Sequence, residues 1–287
     1  MNSVRGATDC GMWQLVTGAP AALLRDGVLG YRGYHLAMNR PQRRIEIPHA
    51  AVTMVINFGD PVRVGEIGTE ATSYSSLING LRTTAVIGEH TGQLHGMEVH
   101  FTPWMAYTLF GTDMHELRNR TVSLVELLGP AGHRLEDQLA RAPSWQARFT
   151  LLDLLLLSRR DAGRAAAPQV VWAWGKLVRT DGRIPLSELM KTTEWSARHL
   201  ELKFREQIGQ PPKTVSRVLR IQRALRMLTS GGAAADVASS CGFYDQAHLH
   251  RDFRAMTGFT PRKFLIARSG GDRPVDRVPG QVTSTLA

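Results

Sequence analysis

The sequence has little cysteine, no long apolar run and no leader-like start. Cys10 and Cys241 are the only cysteines among 287 residues, too few for a disulfide framework or a four-ligand zinc site. Its apolar runs are short, such as the four leucines at 154–157, whereas a bilayer span needs about 20 residues. Residues 1–30 lack the basic stretch and apolar core of a secretory signal. These absences favour a reducing, cytoplasmic location, away from the membrane.

Positive charge is concentrated in one part of the chain. Residues 1–167 carry 16 Lys and Arg against 15 Asp and Glu, whereas residues 168–268 carry 17 against 8. Most of the net charge of +10 therefore lies in about a third of the chain. A basic module beside a neutral one suggests a polyanion as partner, although an ordinary solvated basic face is the alternative.

The first 160 residues show strand patterns followed by helical ones. Short strand-like runs occur at 31–38, 44–47, 51–58, 83–87 and 97–101. From Pro103 the apolar spacing becomes helical, including a segment at 122–128 and a helix at 145–157 that Ser144 would cap. We therefore expect an N-terminal α+β domain over residues 1–160, a small antiparallel barrel or sandwich followed by helices.

Two segments are typical of connections rather than of folded elements. Residues 161–169 belong to a charged, small-residue stretch closed by a proline, and this predicts an interdomain linker. Residues 268–287 have little apolar content, and we expect them to be disordered.

The basic module contains an internal duplication. Leu189 matches Val237 and Trp195 matches Phe243 at a spacing of 48 residues, after which one residue is inserted. The matches that follow share a spacing of 49 residues: His199 with His248, Leu200 with Leu249, Phe204 with Phe253, Arg205 with Arg254, Gly209 with Gly258, and Pro212 with Pro261. So many matches in one register indicate a true repeat.

Each copy predicts a helix-turn-helix unit. Short helices at 186–191 and 235–240 precede longer ones at 196–208 and 245–257. Ser196 and Asp245 would cap the longer helices, and Gly209 and Gly258 would end them. A linker helix at 212–228 would join the units, so the C-terminal domain, 170–267, is expected to be all-α.

The longer helices are amphipathic in a way that suits DNA. Apolar side chains form one stripe in each helix: Leu200, Phe204 and Ile208, and Leu249, Phe253 and Met256. The opposite faces carry side chains that reach base edges or phosphates: Arg198, Glu201, Leu202 and Arg205, and Ala247, His250, Arg251 and Arg254. The linker helix turns Val218, Ile221, Leu225 and Leu228 inward and carries Arg217, Arg220, Arg223 and Arg226 on its other faces.

These residues resemble the DNA-binding domain of AraC/XylS-family transcriptional regulators. The resemblance spans about a hundred residues and rests on Ser196 to Leu200, Phe204-Arg205, Gly242-Phe243, Asp245-Gln246, His248-Leu249, Phe253-Arg254 and 258–261. More weakly, 99–103 followed by a helix is similar to the junction between a cupin-like barrel and dimerising helices. The resemblance implies that Arg198, Glu201, Gln246, His250 and Arg251 face DNA.

Two residues depart from the family pattern. Glu194 stands at the turn position that Gly242 keeps in the second unit, and Leu202 stands where a polar contact residue is common. The side chains expected to contact DNA are Ser196, Arg198, Glu201, Leu202, Arg205, Gln246, His250, Arg251 and Arg254, and Arg251 is the strongest candidate. If the linker helix is rigid, the two units enter major-groove segments about 34 Å apart.

Other chemistry is poorly supported. His90, His95, Glu98 and His100 lack the order of a cupin metal site; Glu98 and His100 would share a strand face with His95 opposite, and loop or surface histidines are the favoured interpretation. We expect no metal and no cofactor. A DNA-repair alkyltransferase fused to an AraC-like module is a rival, but Cys10, in a segment interpreted as mobile, has no activating cysteine partners, and Cys241 is interpreted as a buried apolar residue.

The sequence therefore predicts a non-enzymatic, sequence-specific regulator that binds double-stranded promoter or operator DNA. A nonspecific architectural protein is the second alternative. RNA polymerase, a small-molecule effector and a second copy of the chain are candidate partners, and association with the nucleoid is expected. Two sets of side chains leave pocket or dimer roles open beside simple core packing: the aromatics Trp13, Tyr31, Tyr34, Phe58, Trp104, Tyr107 and Phe110, and the stripe Leu135, Leu139, Trp145, Phe149, Leu152 and Leu156.

Overall fold

The computed structural model describes residues 1–9, 11–269 and 284–286, and within them an N-terminal β-rich domain precedes a helical one. The strands are β1 Asn2–Thr8, β2 Gly11–Gly18, β3 Val28–Met38, β4 Gln42–Glu46, β5 Val52–Asn57, β6 Val62–Glu66, β7 Thr72–Tyr74, β8 Ser76–Asn79, β9 Val86–His90, β10 Gln93–Phe101, β11 Thr121–Ser123 and β12 Ser284–Leu286. The helices are α1 Pro103–Phe110, α2 Leu124–Leu128, α3 Pro130–Arg141, α4 Trp145–Ala162, α5 Pro168–Arg179, α6 Leu186–Thr193, α7 Ala197–Gln207, α8 Pro212–Thr229, α9 Ala234–Ser240, α10 Gln246–Thr257 and α11 Pro261–Ser269.

Two antiparallel sheets face each other in the N-terminal domain. One has the strand order β1-β2-β3-β10-β5-β8-β11, and the other has the order β12-β4-β9-β6-β7. Alternation along β10 sends Met97, Val99 and Phe101 into an apolar core, where each is fully buried. The expected α+β arrangement of a small antiparallel barrel or sandwich followed by helices is confirmed.

Helices α1 to α4 cover the core side of the larger sheet. Thr102 caps α1 by accepting from the Met105 amide at 3.3 Å, and Ser144 caps α4 by accepting from Ala147 at 3.2 Å. The apolar stripe that left a dimer role open is packed within the chain, with Leu139 and Leu152 fully buried. It therefore offers no surface for a second subunit.

Several local expectations were wrong. The segment 122–128 begins as strand β11 and becomes helix only at Leu124, because the Ser123 side chain caps there at 3.0 Å from the Glu126 amide. The N-terminal segment interpreted as mobile is a β1–β2 hairpin, in which Trp13 lies over Gly6; Cys10 itself lies outside the described residues. These strands were missed since their sequences lack a clear apolar alternation.

The linker is shorter than the predicted 161–169. Helix α4 continues through Ala162 and α5 begins at Pro168, so only 163–167 connect them. Arg160 donates to the Leu23 carbonyl and Arg164 donates to the Gly111 carbonyl at 2.7 Å, and these bonds hold the connection against the first domain. Of the tail predicted to be disordered, 268–269 complete α11 and 284–286 pair with β4, while the remainder lies outside the described residues.

The helical domain has two apolar cores, one in each half. The first gathers Leu177, Leu189, Leu200, Phe204 and Ile208, and the second gathers Val237, Leu249, Phe253, Met256 and Phe264. Helix α8 lies between them and contributes Val215 and Leu219 to the first and Val218, Ile221 and Leu225 to the second. The predicted repeat, linker helix and inward stripes are confirmed in the folded chain.

The two domains share these cores. Leu81, at the end of the first sheet, is 1% exposed and packs in the first helical core, and Ile47 is equally buried in the second. Polar contacts accompany them: the Ala85 amide donates to the Met256 carbonyl at 2.8 Å, and Tyr107 donates to Glu206 at 3.1 Å. Both helix-turn-helix units are therefore anchored to the N-terminal domain.

Candidate nucleic-acid interface

The first helix-turn-helix unit is formed by α6, a tight turn and α7. Glu194 ends α6 in the left-handed conformation, with φ 58° and ψ 22°. Two residues later the Ser196 hydroxyl accepts from the His199 amide at 3.2 Å and caps α7. The backbone thus makes the left-handed turn even though glycine is absent from the position.

The second unit repeats this geometry with glycine at the turn. Gly242 follows α9 and Cys241 with φ 75°, and the Asp245 carboxylate accepts from the His248 amide at 2.6 Å to cap α10. Gly258 ends α10 at φ 78°. Both caps predicted from the sequence are therefore present, one in each unit.

The histidine shared by the two copies has the same structural role in each. His199 lies edge-on to Trp195 with ring centroids 4.6 Å apart, and His248 lies edge-on to Phe243 at 5.3 Å. Each contact ties the start of the longer helix to the aromatic residue of the turn. The duplication therefore preserved a packing contact.

The outward faces of α7 and α10 carry the predicted DNA-binding side chains. Those classed as exposed are Ser196, Arg198, Leu202, Arg205, Gln246, Arg251 and Arg254, and those that are partly exposed are Glu201 and His250. Within α10, Gln246 Nε2 lies 3.5 Å from His250 Nε2, so two polar groups share one patch. All nine lie on the two longer helices or at their caps, on surfaces turned away from the apolar cores.

The two units differ at one pivotal position. Leu202 of α7 and Arg251 of α10 are equivalent in the repeat, and the Leu202 side chain is 59% exposed. An exposed leucine between Arg198 and Arg205 has no intrachain packing reason to be apolar, whereas it suits contact with a thymine methyl group.

Tyr244 was missed by the sequence analysis. It is an extra residue within the second copy, because Tyr244 separates Phe243 from the helix cap Asp245, whereas Trp195 directly precedes the helix cap Ser196 in the first copy. The Tyr244 side chain is 93% exposed beside the start of α10. The change of repeat spacing from 48 to 49 residues was the signal that marks this residue.

The arginines of the linker helix bind partners within the chain, whereas the sequence analysis placed them on faces available for other contacts. Arg223 and Arg226 both bind the Asp181 carboxylate, the second at 2.8 Å, and so fix α8 to the turn after α5. Arg217 makes a bidentate pair with Asp252 of α10, at 2.9 and 3.2 Å. Charges at both ends of α8 therefore hold the two units in one orientation.

Arg220 adds a third connection at the turn of the second unit. It donates to the Gly242 carbonyl at 2.9 Å and its guanidinium lies 5.0 Å from the Phe243 ring centroid. The linker helix thus contacts the turn before α10 as well as α10 itself.

A second candidate site lies between the sheets of the N-terminal domain. A cavity of about 150 Å³ is lined by side chains from both sheets, among them Arg32, Tyr34, Arg44, Glu46, His49, Thr53, Glu98 and His100. The register places Glu98 opposite Arg32 and His100 opposite Thr53, which brings a charged pair and a polar pair together. The cavity therefore combines apolar walls with a few converging polar groups, as small-molecule sites do.

The interpretation of His90 and His100 as loop or surface residues is wrong. His90 and His100 belong to strands that line the cavity, and His100 is buried, so they are not loop or surface residues. His95 does lie on the opposite face, 5.0 Å from the His35 ring. Among the described residues, no group of His, Cys, Asp and Glu is arranged to hold a metal ion.

Burial and charge set the protonation of the cavity groups. Burial raises the pKa of Glu98, but Arg32 and His100 outweigh it and hold that pKa well below its usual value. Burial, and then His100, lower the pKa of His49 to about 4. Burial, and then Arg44, lower the pKa of His90 to about 4. At neutral pH the cavity therefore holds an ionised carboxylate beside neutral His49 and His90.

The aromatic residues considered for a pocket divide between cavity and core. Tyr34 lines the cavity and lies 3.3 Å from Asn57 Oδ1 through its hydroxyl. Tyr31, Tyr107 and Phe110 belong to the apolar core instead, against which Phe58 and Trp104 also pack. Of these aromatic residues, Tyr34 alone lines the cavity.

Cys241 is fully buried, as predicted. Burial raises the pKa of its thiol, and its Sγ lies 3.7 Å from Met227 Sδ. A thiol in this state is a poor nucleophile.

Comparison with known proteins agrees with this geometry. A helix-turn-helix domain family model matches residues 189–266, which span both units. An HTH-type transcriptional regulator of Bacillus subtilis, YbfI, is 35% identical over 66 residues, covering 23% of this chain and 24% of the relative. The F1 operon positive regulatory protein of Yersinia pestis is 35% identical over 73 residues, covering 25% and 24%. The chain thus spans about a quarter of the length of these curated relatives.

A solved structure is similar to part of the chain. The probable AraC family transcriptional regulator of Rhodopseudomonas palustris is 27% identical, with a TM-score of 0.32, over 35% of this chain and 96% of that one. The C-terminal region is therefore a helix-turn-helix domain with two units, in agreement with its resemblance to AraC-type regulators. Among the described residues, no helix is long and apolar enough to cross a bilayer.

Proposed function

We propose that the chain is a sequence-specific regulator of transcription that binds double-stranded DNA through both helix-turn-helix units. The observation that carries the proposal is the pair of capped helices, α7 and α10, whose inner faces are buried and whose outer faces expose basic and polar side chains. The basic excess of residues 168–268 supplies phosphate affinity, and the outer faces supply base contacts.

The roles within the interface follow from chemistry and exposure. Arg198, Arg205, Arg251 and Arg254 are the side chains for guanine edges or phosphates. Gln246 and His250 suit adenine edges or phosphates, and Leu202 suits a thymine methyl group. Glu201 suits a cytosine amino group. Ser196 caps α7, and its exposed surface would lie near the DNA backbone.

The rigid linker helix favours a bipartite target. Arg217 and Asp252 fix α10 to α8, and Asp181 fixes the other end, so the two units present their helices together. Insertion into successive major-groove segments then requires half-sites about 34 Å apart.

The first experiment is selection of genomic DNA fragments by the purified chain at near-physiological salt, followed by sequencing. The expected result is enrichment of a motif with two halves about one helical turn apart. Binding to the enriched fragment should weaken steeply with salt, since phosphates contribute much of the affinity. Equal competition by random DNA would refute sequence specificity and favour a nonspecific architectural role.

We further propose that the cavity of the N-terminal domain is the site of a small-molecule effector. Its volume of about 150 Å³ limits the ligand to a compact molecule, about the size of benzene. The converging Arg32, Glu98 and His100 favour a polar ligand over a hydrocarbon.

This second proposal can be tested by thermal-shift screening of small polar metabolites. Gly88 lines the cavity and faces open space, since a Cβ there would come no closer than 4.0 Å to Glu46. Gly88→Leu should therefore fill the cavity and abolish stabilisation by any hit, whereas Gly59→Leu, in a solvent-exposed turn, should leave it unchanged. A hit that stabilises both variants equally binds elsewhere and contradicts the assignment.

An enzymatic role finds no support in the cysteines of the described chain. Cys241 is buried with a raised pKa, and the family matches are to DNA-binding regulators. We therefore propose a non-enzymatic regulator, for which Cys10→Ser should leave all activity unchanged; loss of an activity in that variant would favour the alkyltransferase alternative.

A further inference from the structure

The chain between β4 and β5 separates the cavity from the helical domain. Side chains alternate along β4 and its continuation, so Arg44 and Glu46 line the cavity while Ile45 and Ile47 face the other way. Ile45 packs with Ala85 and Ile87, and Ile47 enters the core of the second helix-turn-helix unit. One length of backbone thus has the cavity on one face and a DNA-binding unit on the other.

The next residues extend this contact to the linker helix and the first unit. Gln222 of α8, which is itself buried, donates to the Pro48 carbonyl. Ala50 packs against the core of the first unit. Residues 47–50, which we call the junction segment, therefore contact both units and the helix that joins them.

The side chain of His49 ties the junction segment to the cavity. His49 Nε2 lies 3.0 Å from the Thr53 hydroxyl, which lies 3.2 Å from His100 Nδ1. His100 Nε2 lies 3.5 Å from the Glu98 carboxylate, and Glu98 pairs with Arg32 at 3.0 Å. A series of polar contacts, which we call the polar chain, therefore runs from Arg32 across the cavity wall to the junction segment; its link between His100 and Glu98 is a 3.5 Å contact rather than a hydrogen bond.

We propose that the junction segment transmits occupancy of the cavity to the two helix-turn-helix units. A ligand that pairs with Arg32, Glu98 or His100 must compete with bonds inside the polar chain. The competition shifts His49, and the same backbone carries Ile47 and the Pro48 carbonyl against the linker helix. The inference rests on the proposed effector role of the cavity, and it adds the route by which that site controls DNA binding.

The packing makes this route mechanically effective. Ile47, Pro48 and the Gln222 side chain are all buried, so a displacement cannot be absorbed by solvent-facing side chains. The second unit has a separate anchor in the bond from the Ala85 amide to Met256. A shift at one anchor with the other held would rotate the second unit relative to the first.

A double-mutant cycle in the full chain tests the route without requiring the effector. Thr53→Val removes the central hydroxyl of the polar chain, and Gln222→Leu removes the donor to Pro48. If both act through the junction segment, each single variant changes affinity for the selected DNA at least about threefold, and the double variant resembles either single one. Additive effects of the two substitutions would overturn the proposal.

Matched variants separate transmission from general damage. Thr53→Ser keeps the hydroxyl and should behave as the wild type does. Tyr31→Phe removes a buried hydroxyl that donates to Asp153 at 2.7 Å, on a side chain packed against α4 rather than against the junction segment. Its effect should combine additively with that of Gln222→Leu; non-additivity as large as that of Thr53→Val would overturn the specific route.

Hydrogen exchange distinguishes failure of this inference from failure of the proposed function. Thr53→Val should speed exchange of the Ala85 amide and of α10, and Tyr31→Phe should not, whether or not the chain binds DNA. Unchanged exchange in Thr53→Val would overturn the route even if the wild type selects a DNA motif. Faster exchange in a chain that selects no DNA would support the route and refute the DNA-binding function instead.

Discussion

Replacing Glu194 by glycine should make the protein more stable. Glu194 holds φ 58° and ψ 22° in the turn of the first unit, and the equivalent Gly242 holds φ 75°. A side chain with a Cβ pays about 1–2 kcal/mol to occupy this left-handed region. Gly242 shows that the same turn accommodates glycine.

The expected gain is the difference between two effects. Glycine relieves the strain of about 1–2 kcal/mol, but it also gives the unfolded chain more freedom, which costs about 0.5–1 kcal/mol. Glu194→Gly should therefore raise the free energy of unfolding by about 0.5–1 kcal/mol. For a chain of this size the matching increase in Tm is about 1–4 °C.

Urea unfolding followed by circular dichroism measures this change, with a reciprocal variant as control. A Cβ on Gly242 would meet Arg183 Cγ at 3.5 Å, an ordinary contact, so Gly242→Ala tests backbone strain without a clash. It should destabilise the protein by about 0.5–1 kcal/mol. Glu194→Ala, which removes the carboxylate but keeps the Cβ, should give no comparable gain. If Glu194→Ala stabilises as much as Glu194→Gly, relief of backbone strain is the wrong explanation.

Three further predictions concern the interface and the cavity. Arg251→Ala should weaken binding to the selected DNA by about 1–3 kcal/mol, as measured by fluorescence anisotropy. Arg141 is an exposed arginine of α3, and Arg141→Ala should leave the affinity unchanged. Equal affinities of the wild type and Arg251→Ala would remove Arg251 from the interface. Leu202→Arg should add a phosphate contact, so that the slope of log affinity against log salt concentration becomes steeper by about one. Discrimination between DNA sequences should weaken at the same time. An unchanged salt slope would place Leu202 away from DNA. The pKa of His90 falls from 6.5 to about 4 on folding. The contribution of this group to the free energy of unfolding should therefore be complete above about pH 6.5 and decline toward pH 4, with a loss of about 2 kcal/mol between pH 7 and pH 5. His90→Gln should lessen this decline in unfolding titrations, and an unaltered pH profile would contradict the burial of a neutral imidazole.

The helical domain was predictable because its signals are local. A cap such as Asp245 acts on the third residue that follows, and a stripe such as Leu249 and Phe253 repeats within one helix. The repeat then supplied the arrangement of the units. Even the departure at Glu194 pointed to the position where the backbone adopts a left-handed conformation.

The cavity and the junction segment were not predictable in the same way. Thr53 and His100 are 47 residues apart and meet only because β5 and β10 pair in one register. Leu81 and Ile47 follow the ends of β8 and β4, and their burial in helical cores depends on how the two domains dock. Contacts of this kind are set by tertiary packing, which periodicity within a short window does not contain.

The burial of Ile47 and Leu81 has a consequence for how the chain can be divided. The boundary at 163–167 separates two architectures, but it does not separate two independent units of stability. A fragment that begins at Pro168 would lack these two side chains, and the apolar residues that pack against them would be exposed to water. Cleavage of the intact protein within 163–167 should instead leave two pieces that stay together and melt in a single transition. The helical domain is therefore a component whose apolar cores the N-terminal domain completes.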